Sequence, residues 1–111
     1  MKWTVKYSEQ AKTDLWDIHD YIAFSLKEPR IAERLVNRIL DAVDDLEQSP
    51  NRRRFEPEPW GSMGMRRINV GNYAVLFIPE ESTGLVKIVR ILYGRMDLER
   101  ALEETECEGN Q

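Results

Sequence analysis

The chain has 111 residues, with 16 Lys plus Arg against 20 Asp plus Glu, for a formal net charge of -4. With 41% hydrophobic and 32% charged residues it is too apolar for wholesale disorder and too polar for a membrane protein, and its length suits one domain around one core. One cysteine, Cys107, and one histidine, His19, exclude an internal disulfide and any cluster of thiolate or imidazole metal ligands.

The opening Met1-Lys2-Trp3-Thr4-Val5-Lys6-Tyr7 lacks the apolar run of a secretion signal, and no stretch approaches the ~18 apolar residues of a spanning helix, so the expected location is the cytoplasm. Trp3, Val5 and Tyr7 alternate with Lys2, Thr4 and Lys6, the period of a strand with one buried face. Ser8 is placed to cap a helix in which Ala11, Leu15, Ile18, Ile22 and Leu26 recur at spacings of 4, 3, 4 and 4. Glu28-Pro29 breaks it. Pro29 then suits the first position of a second helix, where Ala32, Leu35, Ile39, Val43 and Leu46 recur at 3, 4, 4 and 3 opposite a wet face of Arg30, Arg34, Arg38, Asp41 and Asp45. The short break predicts an antiparallel helical hairpin.

Ser49-Pro50 ends that helix, and three prolines and two glycines within residues 50–64 predict a loop. Met65 to Val70 and Tyr73 to Ile78 read as strands joined by Gly71-Asn72, with glycine first as a type II′ hairpin turn requires. Pro79 to Gly84 turns the chain into Leu85 to Tyr93, a long and nearly continuous apolar strand expected at the centre of the sheet with both faces covered. Asp97 is placed to cap a short helix bearing Leu98, Ala101 and Leu102. The predicted class is α+β in the order β-α-α-β-β-β-α: an N-terminal helical hairpin on a mainly antiparallel four-stranded sheet, closed by a short C-terminal helix. Residues 1–102 form the domain, and residues 103–111 form an acidic tail expected to fray.

Charge is uneven along this order. Residues 1–49 carry a net -3, residues 50–96 a net +4 and residues 97–111 a net -5, which places a basic surface between acidic flanks. No P-loop, Gly-rich dinucleotide fingerprint or nucleophile elbow occurs. His19, beside Asp17 and Asp20, reads as a helix-surface residue. What remains are arginines with aromatics. Arg66 shares a strand face with Ile68 and Val70, so Arg67 and Asn69 take the other. Arg90 interrupts an apolar strand on the face of Val86, Ile88 and Leu92, where an arginine must pair or reach a ligand. Two readings stand for it. Arg66 or Arg67 with Arg90, Tyr93 and Arg95 form a cationic cleft for phosphates or acidic side chains, or Arg90 makes a structural ion pair with an acid of the helical hairpin. Trp60 plugs its loop onto the core or offers a stacking surface, and Arg52-Arg53-Arg54 reads as a solvated loop.

The order of elements, the segment Ser8-Glu9-Gln10-Ala11-Lys12-Thr13-Asp14-Leu15, and above all Val70-Gly71-Asn72-Tyr73-Ala74-Val75-Leu76-Phe77 and Val86-Lys87-Ile88-Val89-Arg90-Ile91-Leu92-Tyr93-Gly94-Arg95-Met96-Asp97 resemble the RelE/ParE superfamily of bacterial type II toxins. The resemblance runs over roughly residues 2–102 and is nearer to the ParE branch. RelE-like ribonucleases place an arginine where Ala74 stands and an aromatic or histidine near the C-terminus, whereas nothing aromatic follows Tyr93. The resemblance implies a toxin silenced by a cognate antitoxin in a hetero-oligomeric complex, with DNA gyrase as target, no cofactor, no metal and no membrane. The contact residues it implies are Trp60, Arg90, Tyr93, Arg95, Leu98 and Leu102. Its alternatives are a ribosome-dependent mRNA endonuclease using Arg66, Arg67, Arg90 and Tyr93, and a non-toxic relative acting only through its antitoxin in autoregulation. An acidic antitoxin arm would dock on the +4 segment.

Overall fold

The computed structural model describes residues 3–48, 50 and 61–93. Trp60, Arg95, Leu98 and Leu102, the predicted C-terminal helix and the acidic tail lie outside them. Strand β1 spans Thr4–Tyr7, helix α1 Glu9–Asp20, helix α2 Pro29–Asp44, and strands β2, β3 and β4 span Arg66–Val70, Tyr73–Glu80 and Leu85–Tyr93. The sheet runs in the order β1-β4-β3-β2, with β1 parallel to β4 and the other pairings antiparallel. This is the expected α+β arrangement: two helices on one face of a mixed four-stranded sheet.

The helical periodicities set the packing. Ile39, Val43 and Leu46, one side of α2 and of the 3₁₀ turn after it, meet Val75, Phe77, Val86, Ile88 and Ile91 of the sheet. Pro29 opens α2 where its missing N–H leaves no bond unmade. Ala11 and Ala32, both fully buried, supply the small side chains that let helix approach sheet and helix approach helix. At the hairpin turn Gly71 takes φ +59, and Lys27 is the non-glycine residue with positive φ among those described, so Asn72 keeps the negative φ of a type II′ turn. Strand β3 runs past the predicted end at Ile78 to Glu80. Its pairing with β2 stops at Phe77, so Pro79 lies where that side of β3 is an edge and proline removes no ladder bond there.

Two departures from simple periodicity decide what the fold displays. The first follows α1. Residues Tyr21–Ser25 form a π-helical turn, in which the Leu26 N–H donates to the Tyr21 carbonyl at 3.0 Å, and Lys27 at φ +57 ends it. The wider turn keeps Ile22 and Ala23 against Ala32 but turns Leu26 outward, 54% exposed, where a uniform helix would have buried it. Because a left-handed lysine is strained, Lys27→Gly is expected to raise stability by about 1 kcal/mol, read as a shifted denaturant midpoint. A drop would mean that the lysine side chain itself holds the turn.

The second departure is a bulge in β4. Phe77 pairs with Ile88 and Leu76 with Arg90, which leaves Val89 without a partner residue across the strand. The extra residue shifts the alternation by one. Val86, Ile88 and Ile91 face the helices, while Leu92 joins Met65 and Leu76 on the far face instead of sharing a face with Val86 and Ile88. β4 is interior, between β1 and β3, but its far face is only partly covered, since Lys87 stands exposed there.

At the start of the sheet, burial and the nearby Asp44 carboxylate push the Tyr7 hydroxyl up to about 12. A phenol that holds its proton more tightly folded than unfolded stabilises less as pH climbs from 10 toward 12, because the unfolded chain loses that proton first. The melting temperature should therefore fall across this window, less steeply in Tyr7→Phe; identical slopes would remove Tyr7 as the cause.

Candidate functional site

The pairing of β1 with β4 ends at Tyr7 opposite Ile88, and beyond it the edge of β4 would be bare. Helix α1 closes it. The Ser8 N–H donates to the Ile88 carbonyl at 2.9 Å, and the Ser8 hydroxyl donates to the Val89 carbonyl at 2.8 Å while accepting from the Ala11 N–H at 2.9 Å. One hydroxyl thus caps the helix and clips the bulge.

Two turns further on, Asp14 completes the clip. Its Oδ2 accepts from Arg90 Nε at 2.7 Å and from the Ile91 N–H at 3.0 Å, and its Oδ1 accepts from the Arg90 guanidinium at 2.9 Å. Both side chains are almost fully buried, at 9% and 12% exposure. Of the two readings open for Arg90 in the sequence, the structure holds the ion pair with an acid of the helical hairpin.

Past this clip lies a groove of about 740 Å³. Asp14, Asp17, Ile18, Tyr21, Ile22 and Leu26 form its helical wall, and Tyr73, Arg90, Ile91, Leu92 and Tyr93 its strand wall. Tyr21, at the end of α1, and Leu26, placed by the π turn, both stand half-exposed on this wall. Tyr73 and Tyr93, paired across β3 and β4, make an edge-to-face contact with ring centres 5.4 Å apart. Burial, then the neighbouring Tyr93 and Tyr21, raise the Tyr73 hydroxyl above the usual phenol value, so near neutral pH it is a protonated donor. The walls are apolar and aromatic with hydroxyl rims, and with Arg90 balanced by Asp14, the remaining charge on the lining is Asp17. Such a surface receives apolar anchors and hydrogen-bond acceptors, and favours a positive charge at its lip.

The structure brings Arg90 and Tyr93 to this groove. Arg66 pairs with Phe77, itself opposite Ile88 in the middle of β4, and Val70 pairs with Tyr73, so Arg66 lies four residues along the outer strand from the Tyr73–Tyr93 end, and Arg67 points to the far face beside Leu76. Neither lines the groove. Asp14, Tyr21 and Tyr73 were not singled out by sequence, although Asp14 carries a signal: it sits three residues after Ala11 and four before Ile18, an acid on an otherwise apolar stripe. No helix among the described residues is long and apolar enough to cross a membrane, and none of their side chains cluster as a metal site.

The family described as ParE toxin of type II toxin-antitoxin system, parDE, matches residues 5–98. No curated protein matches the chain. Among solved structures it is similar to the chromosomal ParDE toxin-antitoxin system from P. aeruginosa, with 23% identity and a TM-score of 0.69 over 83% of this chain and 96% of that one. It is also similar to the RelBE2 toxin-antitoxin complex from Mycobacterium tuberculosis, with 20% identity and a TM-score of 0.63 over 84% and 99%. A mutant of the E. coli toxin RelE in the free state shares the fold at 8% identity, with a TM-score of 0.65 over 91% and 93%. At these identities the likeness is one of fold.

Proposed function

The chain belongs to the ParE toxin family of type II toxin-antitoxin systems, and on that footing we propose that it arrests growth by binding and poisoning DNA gyrase and is silenced by a cognate antitoxin. The observation that supports binding over RNA chemistry is the Asp14–Arg90 pair. Phosphoryl chemistry needs cationic groups aimed at the charge that develops on the scissile phosphate. Arg90 is committed to Asp14 through two guanidinium contacts. Arg66 and Arg67 belong to another part of the sheet, and Ala74, where RelE-like ribonucleases carry arginine, is fully buried opposite Leu92. Arg90 then acts as the post that fixes the groove wall, and Tyr93, with Arg95, Leu98 and Leu102 beyond it, supplies the contact region. A toxin that traps another enzyme's cleaved intermediate requires no covalent step of its own.

For the antitoxin we assign the groove; its strand wall lies in the basic segment, but with Arg90 held by Asp14 its remaining lining charge is Asp17, so the arm it takes is held by apolar anchors and not by acidic side chains. Two of the similar folds are toxin-antitoxin assemblies, and an arm that orders on binding needs apolar anchoring pockets of this kind. Inducing the chain without antitoxin while pulse-labelling DNA and protein tests the target: DNA synthesis is expected to fail first. Translation failing first would replace the gyrase assignment with the ribosome-dependent ribonuclease, and neither failing would leave a non-toxic binding module.

A further inference from the structure

One end of the groove is built differently from its apolar walls. Asp17 and Tyr21 stand one turn apart on the groove side of α1, since the Tyr21 N–H still donates to the Asp17 carbonyl, so carboxylate and phenol rise from positions about 6 Å apart. On the strand wall Tyr73 and Tyr93 meet at 71°, so their rings form a corner and not a stack. Tyr93 and Tyr21 both act on the Tyr73 hydroxyl, which places the three phenols around one space. Asp17 is exposed and makes no ion pair among the described residues. Two carboxylates, Asp14 and Asp17, against the one Arg90 guanidinium leave the lining a net charge of -1.

Rings and carboxylate together make a cation site. Aromatic faces are negative, and a cation within about 6 Å of a ring centre is drawn to them, most strongly once desolvated. An anion would be repelled by the same faces and by Asp17, and a purely apolar occupant would cover Asp17 without giving it a partner. A guanidinium suits the space better than an ammonium, because it is flat, weakly hydrated, stacks on rings and offers a fork of N–H donors to a carboxylate. We propose that Tyr21, Tyr73, Tyr93 and Asp17 hold an arginine of the antitoxin arm, its guanidinium among the rings and bonded to Asp17, while the arm's apolar anchors lie on Ile18, Ile22 and Leu26. This rests on the assignment of the groove to the antitoxin.

Titration of the cognate antitoxin into the full chain, with the unfolding midpoint of each variant measured alongside, tests it. Tyr21→Phe keeps the ring face and is expected to bind within about twofold of wild type, whereas Tyr21→Leu, apolar but without that face, loses about tenfold. Asp17→Asn is expected to weaken binding about fivefold and Asp17→Lys roughly thirtyfold, with salt weakening the wild-type complex more than the Asp17→Asn one. Replacing the arginines of the antitoxin arm one at a time by methionine should find one whose loss matches that of Asp17→Asn and adds little to it. n-Butylguanidinium, an arginine side chain without its backbone, probes the rings with no antitoxin present: it should shift the ring protons of Tyr73 and Tyr93 at millimolar concentration, where the uncharged n-butylurea does not. Equal affinities for Tyr21→Phe and Tyr21→Leu, an Asp17→Lys variant that binds like wild type, or butylurea moving the rings as far as butylguanidinium would overturn the proposal. If Tyr21→Ala weakens the antitoxin and Asp17→Lys does not, the groove keeps its partner and the arginine alone is lost; if neither weakens it, the groove assignment fails and the arginine with it.

Discussion

Replacing Asp14 with alanine is expected to cost about 3–5 kcal/mol, because it strips a buried guanidinium of its carboxylate and leaves the Ile91 N–H without its acceptor. That is a large part of the ~5–15 kcal/mol that holds a domain of this size together. Urea unfolding reads it directly, and Arg90→Ala should fall comparably, since it leaves the buried carboxylate. The informative variant is the double one. Asp14→Leu with Arg90→Met replaces the pair by apolar groups of similar bulk and should recover the part of the loss due to the bared guanidinium, as buried ion pairs contribute little net stability over a hydrophobic substitute, while the Ile91 N–H left without its acceptor still costs about 1–3 kcal/mol. If the refolded double variant still arrests growth, Arg90 holds the groove and touches no substrate. A stable but inert double variant would return Arg90 to the target-contacting role open in the sequence, and with it the ribonuclease.

Tyr21→Ala is expected to weaken antitoxin binding by ten- to a hundredfold while leaving the unfolding midpoint almost where it was. The separation follows from position. Tyr21 is half-exposed in the free protein, so its truncation opens little of the core, yet it stands on the groove wall facing the Tyr73–Tyr93 pair. Aromatic anchors at the centre of such patches carry a disproportionate share of binding free energy, on the order of 2 kcal/mol each. Titration calorimetry with the antitoxin, beside a melt of the toxin alone, gives both numbers. Unchanged affinity with unchanged stability would move the antitoxin off this groove; a matching loss of stability would make Tyr21 a packing residue.

Both experiments turn on residues whose importance was unequally visible in the chain. The two amphipathic helices, the Pro29 start, the Gly71-Asn72 turn and the central position of the Leu85–Tyr93 strand could be read from spacing and residue type, because each depends on neighbours within a few positions. So could the dilemma of Arg90: a charge inside an apolar strand must be answered, whatever answers it. The family resemblance drew on the same local runs.

What answers Arg90 was not local. Asp14 and Arg90 are 76 residues apart, and only the docking of α1 along the open edge of β4 brings them together. The π turn and the bulge at Val89 were hidden for a related reason. Each inserts one residue into a regular period, and a period read from sequence assumes that none is inserted, so Leu26 and Leu92 were assigned to faces they do not occupy. The Tyr21–Tyr73–Tyr93 groove, which depends on the register of β3 against β4 and on where α1 ends, belongs to the tertiary structure alone. The sequence by itself determined which elements form and that one arginine needed a partner, since those follow from short-range periodicity and the cost of burying charge. The partner and the groove were decided only when helix met sheet, because local irregularities are selected by the packing they permit and not by the residues beside them.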